Sequence, residues 1–108
     1  MAVVMIQEQP EMFRTETYDE VNSRLDLKNQ PPEGLIAHTL GQGEDGVWRV
    51  VDIWESREAH DRFSEERLMP TIRDVLSEQG VDVDQMPELK RTMYETYDVY
   101  VGAAGAAR

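Results

Sequence analysis

The chain has 108 residues, with 11 Lys and Arg against 22 Asp and Glu, so its formal net charge at pH 7 is −11. This length fits one domain built around one hydrophobic core. So acidic a surface repels phosphate backbones and anionic lipid, and the lack of cysteine excludes disulfides and thiolate chemistry.

The chain also lacks the signals that would direct it into or across a membrane. No apolar run approaches the roughly 20 residues that a transmembrane helix needs. The first six residues lack the basic charge and the length of a signal peptide. We therefore expect a cytoplasmic protein with neither a nucleic-acid nor a membrane partner.

The first part of the chain predicts a strand followed by a helix. Residues 3–7 form a short apolar, β-branched run that is typical of a strand. Thr17 and Glu20 stand at the spacing of a capping box, and apolar residues at helical spacing then continue to Leu27. Prolines and a glycine within residues 28–34 end the helix in a loop.

A β-hairpin and a second helix follow. Residues 35–40 and 47–54 are strand-like, and the Asp45-Gly46 pair between them is a strong hairpin signal. Ser56 is placed to cap the next helix, whose apolar stripe runs on past Pro70. Because proline disrupts a helix interior, we expect a kink or break near Leu68 and Met69.

The C-terminal part completes a β-α-β-β-α-β order. Gly80 ends the second helix, residues 81–89 link it onward, and residues 93–101 predict a last strand rich in Tyr and Val. This order is typical of a ferredoxin-like α+β fold, an antiparallel sheet with both helices on one face. We expect one domain over residues 1–101 and a flexible tail over residues 102–108.

The third strand predicts a homodimer, because neither of its faces is plainly polar. The two alternating sets are Val47, Arg49, Val51 and Ile53 on one face, and Trp48, Val50, Asp52 and Trp54 on the other. One layer of helices covers only one face, and an exposed patch of this size is unusual for a monomer. We expect two sheets to face each other around a partly polar cavity. The same reasoning places the site inside the dimer, on the face of Asp52 and Trp54.

The chain resembles a known family in three segments, residues 34–38, 48–63 and 66–70. The most specific part is a strand that ends in Trp-Glu-Ser and a helix that opens with Glu-Ala. These segments look like dimeric α+β-barrel proteins, and in particular small antibiotic-biosynthesis-monooxygenase-like proteins. The resemblance implies the fold and a homodimer. Some members of the superfamily are cofactor-independent monooxygenases that act on polycyclic aromatic substrates.

Other members of that superfamily degrade haem, and the chain departs from their pattern. Their later helical Trp falls on Phe63 here, and their haem-ligating His falls near Arg73. Their first-strand Asn falls near Gln7. Since the ligand and the Trp are both missing, the resemblance does not extend to haem degradation.

The candidate site residues each have a structural and a functional interpretation. His38 lies mid-strand, and Asp52 is an acid between apolar stretches, so each is either paired structurally or a base in a cavity. The aromatic residues of the third and last strands either pack or stack on a flat substrate. His60 lies among charged residues of the second helix and is expected to be exposed. The candidate catalytic residues are His38 and Asp52, and the candidate substrate-binding residues are Gln7, Trp54, Phe63 and Tyr97.

Two functions remain open from the residues. The first is an enzyme for an aromatic or polyketide-like molecule, which carries out oxygenation or isomerisation without a cofactor. The second is a non-catalytic metabolite-binding or accessory dimer. Two His and no Cys make a transition-metal site improbable, so neither function includes a metal or a cofactor.

Overall fold

The computed structural model describes residues 1–11, 13–86 and 88–106. Four strands form one antiparallel sheet in the order β2-β3-β1-β4, with β2 and β4 at its edges. The strands are β1 (Val3–Glu8), β2 (Leu35–Gln42), β3 (Trp48–Trp54) and β4 (Arg91–Glu95). The helices lie on one face of this sheet, so the predicted ferredoxin-like α+β fold is confirmed.

The helical layer contains one helix between the first two strands and a longer composite helix after the third. Its elements are α1 (Thr15–Leu25), α2 (Arg57–Phe63), a π-helical turn (Ser64–Leu68) and α3 (Met69–Glu78). A 3₁₀ turn (Val83–Gln85) and a short α4 (Ala103–Ala106) follow. None of the described helices is long and apolar enough to cross a membrane.

Helix α1 starts earlier than the sequence predicted, and the predicted capping box is wrong. The residue before the helix is Arg14, whose backbone is extended and whose side chain makes no capping hydrogen bond. Thr17 already lies inside the helix, where its hydroxyl faces the side chain of Gln79 at 3.5 Å. The helix also ends at Leu25 rather than Leu27, because Asp26 adopts a left-handed conformation with φ of 52°.

The composite helix passes Pro70 without a break. Ser56 caps its start, as predicted, by accepting a hydrogen bond from the Ala59 backbone N–H at 3.1 Å. At the place where a kink or break was expected, near Leu68 and Met69, the helix stays continuous but contains a π-helical turn, which ends at Leu68, two residues before Pro70. At the far end, Gly80 adopts φ of 77° and Val81 donates to the Leu76 carbonyl at 2.9 Å, which completes a Schellman motif.

The core lies between the sheet and these helices. Val21 and Leu25 of α1 pack with Val75 of α3, and four partly buried apolar residues surround them: Leu27, Phe63, Leu68 and Ile72. Trp54 and Val3, opposite each other on neighbouring strands, are 1% and 2% exposed. Arg67 also links the helices, because it donates to the carbonyl of Leu25 at the end of α1 and to that of Gln30 in the loop that follows.

The last strand is shorter than predicted. It pairs with β1 from Arg91 to Glu95 and makes a final contact where Thr96 donates to the Ala2 carbonyl at 2.9 Å. Because β4 is an edge strand whose neighbour β1 begins opposite Glu95, the Tyr- and Val-rich residues that follow are not part of the sheet. In the predicted flexible tail, Ala103–Ala106 form one helical turn, and residues 107 and 108 lie outside the described residues.

Gly34 is expected to be intolerant of a side chain. Its φ is 88°, and a Cβ built on it would lie 2.6 Å from the Cβ of Ala59 in α2. We expect Gly34→Ala to lower the free energy of unfolding by more than about 2 kcal/mol, because backbone strain and overpacking add. Gly46→Ala is the matched control, since Gly46 has φ of 84° but open space around it. If urea denaturation shows the same loss of unfolding free energy in Gly34→Ala and Gly46→Ala, the close contact of Gly34 with α2 contributes nothing to that loss.

The hairpin turn carries a pH-sensitive ion pair. Hydrogen bonds from Arg49 and from the Val47 backbone lower the pKa of Asp45 from its ordinary value of 3.8 to about 2. A lowered pKa stabilises the fold above the unfolded-state pKa, and this stabilisation is lost as the pH falls through the folded-state pKa. We expect Asp45→Asn to lower Tm by a constant amount at neutral pH and by progressively less between pH 3.8 and about 2. Glu44→Gln, at an exposed neighbouring residue, is the control. A Tm difference between Asp45→Asn and the wild type that stays the same as the pH falls to about 2 would contradict this expectation.

Candidate functional site

The site is built by the register of the central hairpin. His38 of β2 pairs directly with Asp52 of β3, and Met5 of β1 pairs with Asp52 from the other side. The register shift between Leu35 and Ala37 is a bulge that sets which side chains of β2 share a face with Asp52. The hairpin thus brings the two candidate catalytic residues, far apart in sequence, into direct contact.

A continuous chain of hydrogen bonds links four side chains. Asp52 Oδ2 accepts from the indole Nε1–H of Trp54 at 3.2 Å, and Asp52 Oδ1 lies 2.6 Å from His38 Nδ1. His38 Nε2 in turn lies 2.7 Å from the hydroxyl of Tyr18 in α1. The order is Trp54, Asp52, His38, Tyr18, and it runs from the buried sheet to the first turns of α1.

Asp52 is the buried anchor of this chain. Its side chain is 10% exposed, whereas the side chain of His38 is 29% exposed. A buried carboxylate is costly unless its oxygens are hydrogen-bonded, and here each oxygen faces an N–H donor. The partner of Asp52 is therefore His38, the other candidate catalytic residue. An imidazole held by a carboxylate in this way is a common arrangement for a general base.

Tyr18 belongs to the network although the sequence had placed it only on the apolar stripe of α1. Its ring lies parallel to the imidazole of His38, with centroids 6.3 Å apart. Phe13 contacts the Tyr18 ring edge-on at 6.2 Å and the Trp48 ring at 5.4 Å. The only sequence signal for this role is helical spacing, which gives a face but not a partner. The result is an aromatic wall of Phe13, Tyr18 and Trp48 beside the polar chain.

The sheet face that carries the site was predicted incorrectly. Sequence reasoning placed Asp52 and Trp54 on the open face, inside a cavity between two protomers. In the structure Trp54 packs against Phe63 and His60 of α2, at 5.5 and 5.7 Å between ring centroids, so this face is covered by helices. The reason is that a Trp as large as Trp54 fills the space under α2. The polar network therefore lies within one protomer.

The candidate substrate-binding residues do not all come together. Trp54 touches the network directly through its indole N–H. Gln7 pairs with Val50 and so lies on the same sheet face, partly buried. Phe63 contacts Trp54 and the guanidinium of Arg67, 5.3 Å from its ring centre, and so belongs to the core. Tyr97 is 103% exposed and makes no contribution to the cluster within this protomer.

His60 is buried, which corrects the prediction that it is exposed. Only 6% of the residue is accessible, because α2 turns it toward the indole of Trp54. Its Nδ1 lies 2.9 Å from the carboxylate of the adjacent Asp61. A histidine that packs on an aromatic ring and has a carboxylate partner is satisfied structurally, so we assign it no chemistry.

The network does not line either of two depressions in the surface of the described residues. Two surface depressions of about 350 and 400 Å³ lie elsewhere, one along residues 8–11 and 88–90 and the other along α1 and the turn after it. Every buried side-chain nitrogen and oxygen among the described residues has a hydrogen-bond partner. The network reaches the surface at His38, which is exposed, and at Tyr18, which is partly buried, so a ligand would approach it from this end.

The other sheet face is open and largely apolar. Strand pairing places on it Val4 and Ile6 of β1, Val51 and Ile53 of β3, and Tyr94 of β4. The ring of Tyr94 is among the exposed large hydrophobic side chains, at 49%. No helix covers this face in the described part of the chain.

Comparisons with known proteins show likeness in structure alone. The chain matches no family model and no curated protein. It is similar to a conserved protein from Methanosarcina mazei Go1, with 17% identity, a TM-score of 0.58, and coverage of 87% of this chain and 91% of that one. It is also similar to a protein from Nitrosomonas europaea proposed to be an antibiotic biosynthesis monooxygenase, with 18% identity, a TM-score of 0.60, and coverage of 91% and 100%.

One further similar structure has a stated activity. SnoaB from Streptomyces nogalater, a cofactor-independent oxygenase, is 13% identical, with a TM-score of 0.59 and coverage of 91% of this chain and 95% of that one. Identities this low establish the fold and leave the activity open. The chain therefore has the α+β fold of the antibiotic-biosynthesis-monooxygenase-like proteins, as the resemblance in its sequence predicted.

Proposed function

We propose that this protein binds a flat aromatic or polyketide-like small molecule beside the Tyr18–His38–Asp52 chain and removes a proton from it. The reaction is a cofactor-independent monooxygenation or an isomerisation. The observation that carries the proposal is the 2.6 Å contact between a buried carboxylate and an imidazole, on a sheet face where Trp54 and Val3 are also buried.

The chemistry follows from the order of the groups. Asp52 holds the imidazole of His38 in one orientation and stabilises its positive charge after it accepts a proton. The aromatic wall of Phe13, Tyr18 and Trp48 supplies a surface on which a flat ring would stack. Acid–base chemistry of this kind needs no metal and no cofactor from the protein.

An oxygenation by this route balances without an external reductant. Once deprotonated, an electron-rich aromatic ligand can itself give electrons to dioxygen. A ring CH₂ then becomes C=O, and the second oxygen atom leaves as water. The activity stated for SnoaB, which shares the fold, is consistent with this proposal.

The proposal is tested by oxygen consumption and product analysis with a panel of hydroxylated polycyclic aromatic compounds. We expect turnover by the wild type and a loss of about 10²–10⁴-fold in His38→Ala and Asp52→Ala. Tyr100→Phe, at a residue 90% exposed, is the control. Turnover in both site variants equal to that of the wild type would show that the pair is not the base.

A second function, non-catalytic metabolite binding, is favoured by one observation. The polar groups of the network satisfy one another, and the described depressions of the surface lie elsewhere. A binding protein would hold the same ligands without consuming oxygen or changing them. Equilibrium dialysis together with mass spectrometry of the recovered ligand separates the two functions.

We also propose that the open sheet face joins two copies into a homodimer. Its partly exposed apolar residues, Ile6, Val51 and Ile53, and the exposed Tyr94 adjoin one another around the buried Val4, and a second copy would cover them. A dimer built this way keeps one complete network in each protomer. Sedimentation of the wild type should give twice the 12.4 kDa chain mass, and Ile53→Asp should give the monomer. A wild-type monomer at micromolar concentration would exclude this assembly.

A further inference from the structure

We propose that Tyr18, rather than His38, is the group that meets the ligand, and that the ligand presents a phenolic hydroxyl to it. This inference rests on the proposed function and specifies its contact atom. In it, Tyr18 is the catalytic residue, and His38 and Asp52 act behind it. The ligand class becomes hydroxylated aromatic compounds that are neutral when they bind.

Both nitrogens of the imidazole are already occupied. Nδ1 of His38 is engaged by Asp52 at 2.6 Å and Nε2 by the Tyr18 hydroxyl at 2.7 Å. A ligand that approached His38 directly would have to displace one of them. His38 is itself exposed, but both of its nitrogens are engaged, so the hydroxyl of Tyr18 at the end of the chain is the group that can bond a ligand without giving up one of these hydrogen bonds.

The direction of the hydrogen bonds follows from the buried end. A carboxylate can only accept, so the imidazole donates from Nδ1 to Asp52. In a neutral imidazole Nε2 then carries no proton and accepts, so the hydroxyl of Tyr18 donates to it. The phenol oxygen of Tyr18 keeps free lone pairs, and these match the donor O–H of a phenol.

The proton step is balanced. The O–H bond of the ligand breaks and its proton passes to the oxygen of Tyr18, while the original Tyr18 proton passes to Nε2 of His38. The ligand becomes a phenolate, and the new imidazolium is held by Asp52. No oxidant, reductant or further reactant takes part in this step.

The surroundings of Tyr18 favour a ring that is uncharged on arrival. Phe13 lies 6.2 Å from the Tyr18 ring and 5.4 Å from that of Trp48, so a planar ligand at the hydroxyl would lie along this wall. The net charge of −11 disfavours the approach of a ligand that is already anionic. A neutral phenol meets both conditions and acquires its charge only beside His38.

The probe for this inference is p-nitrophenol, whose absorption band moves when it ionises. At a pH below the solution pKa of the probe, wild-type protein is expected to generate the phenolate band on binding. Tyr18→Phe, which removes one oxygen and keeps the ring, is expected to lower the ratio of ionised to neutral bound probe about tenfold or more. Tyr100→Phe is the matched control and should behave like the wild type.

A second measurement does not depend on any variant's folding. The methyl ether p-nitroanisole lacks the hydroxyl, so it should bind the wild type at least about tenfold more weakly than p-nitrophenol. Equal affinity for the two probes would overturn the inference, and so would a phenolate band in Tyr18→Phe as strong as in the wild type. If Tyr18→Phe matches the wild type while His38→Ala loses the band, Tyr18 fails and the proposed function stands. If His38→Ala and Asp52→Ala also retain the phenolate band, both the inference about Tyr18 and the proposed function fail.

Discussion

Replacing Trp54 with alanine is expected to lower the free energy of unfolding by about 3–5 kcal/mol, the range observed when a buried large aromatic residue is truncated. Trp54 is 1% exposed and fills the space between β3 and α2, against Phe63 and His60. Because small domains are stable by only about 5–15 kcal/mol, this loss approaches the whole stability of the fold. Urea denaturation, followed by far-ultraviolet circular dichroism as the signal of helix content, measures this loss.

Two further variants separate the contributions to this loss. Trp54→Phe keeps an aromatic ring but removes the indole N–H that donates to Asp52 at 3.2 Å, so it should cost less than alanine and still leave one carboxylate oxygen without its donor. Trp48→Ala removes a Trp that is only partly buried and should cost clearly less. A cost for Trp48→Ala equal to that for Trp54→Ala would mean that α2 does not pack on β3 as described.

The order of helices and strands along the chain and the central hairpin could be predicted because their signals are local. Asp45-Gly46 specifies a turn, and Gly46 does adopt a positive φ of 84° there. Ser56 and Gly80 mark the ends of the composite helix for similarly local reasons. Each of these residues acts on its own backbone or that of a near neighbour, so no knowledge of the rest of the fold was needed.

The candidate site could be predicted only in part, because its geometry depends on register and on the packing of distant elements. A bulge near Ile36 determines which side chains of β2 share the face of Asp52. No residue type in this segment predicts such a bulge, so the register could not be derived from the sequence. Tyr18 reaches His38 only because α1 crosses over β2, which is a tertiary arrangement. The sheet face covered by helices was mistaken because bulky residues occupy both faces of β3.

The length of β4 also could not be predicted from local sequence. The sequence after Glu95 has the composition of a strand, with Tyr97 and Tyr100, and propensity alone extends it to residue 101. A strand also needs a paired neighbour, and β1 has no residue opposite this segment. Tyr97 and Tyr100 are consequently exposed within the protomer.

Asp52→Asn is expected to reduce turnover of the proposed substrate by about 10²–10⁴-fold while keeping the shape of the site. An amide has one acceptor and one donor end, whereas both oxygens of Asp52 face N–H donors. If the amide NH₂ faces His38, Nδ1 must accept and the imidazole proton moves to Nε2. Nε2 then donates to Tyr18, so the imidazole can no longer take a proton from that side.

The loss of activity should exceed what any loss of stability explains. Exchanging the charged hydrogen bonds of the carboxylate for those of a neutral amide costs about 1–3 kcal/mol of folding free energy, which leaves most of the protein folded when the fold has ordinary stability. Nitrogen NMR of His38 should report protonated Nδ1 in the wild type and protonated Nε2 in Asp52→Asn. His60, which contacts a different carboxylate, serves as the internal control because its signal should not change. Full turnover together with an exchanged His38 tautomer would show that the hydrogen-bond order holds the fold and plays no part in catalysis.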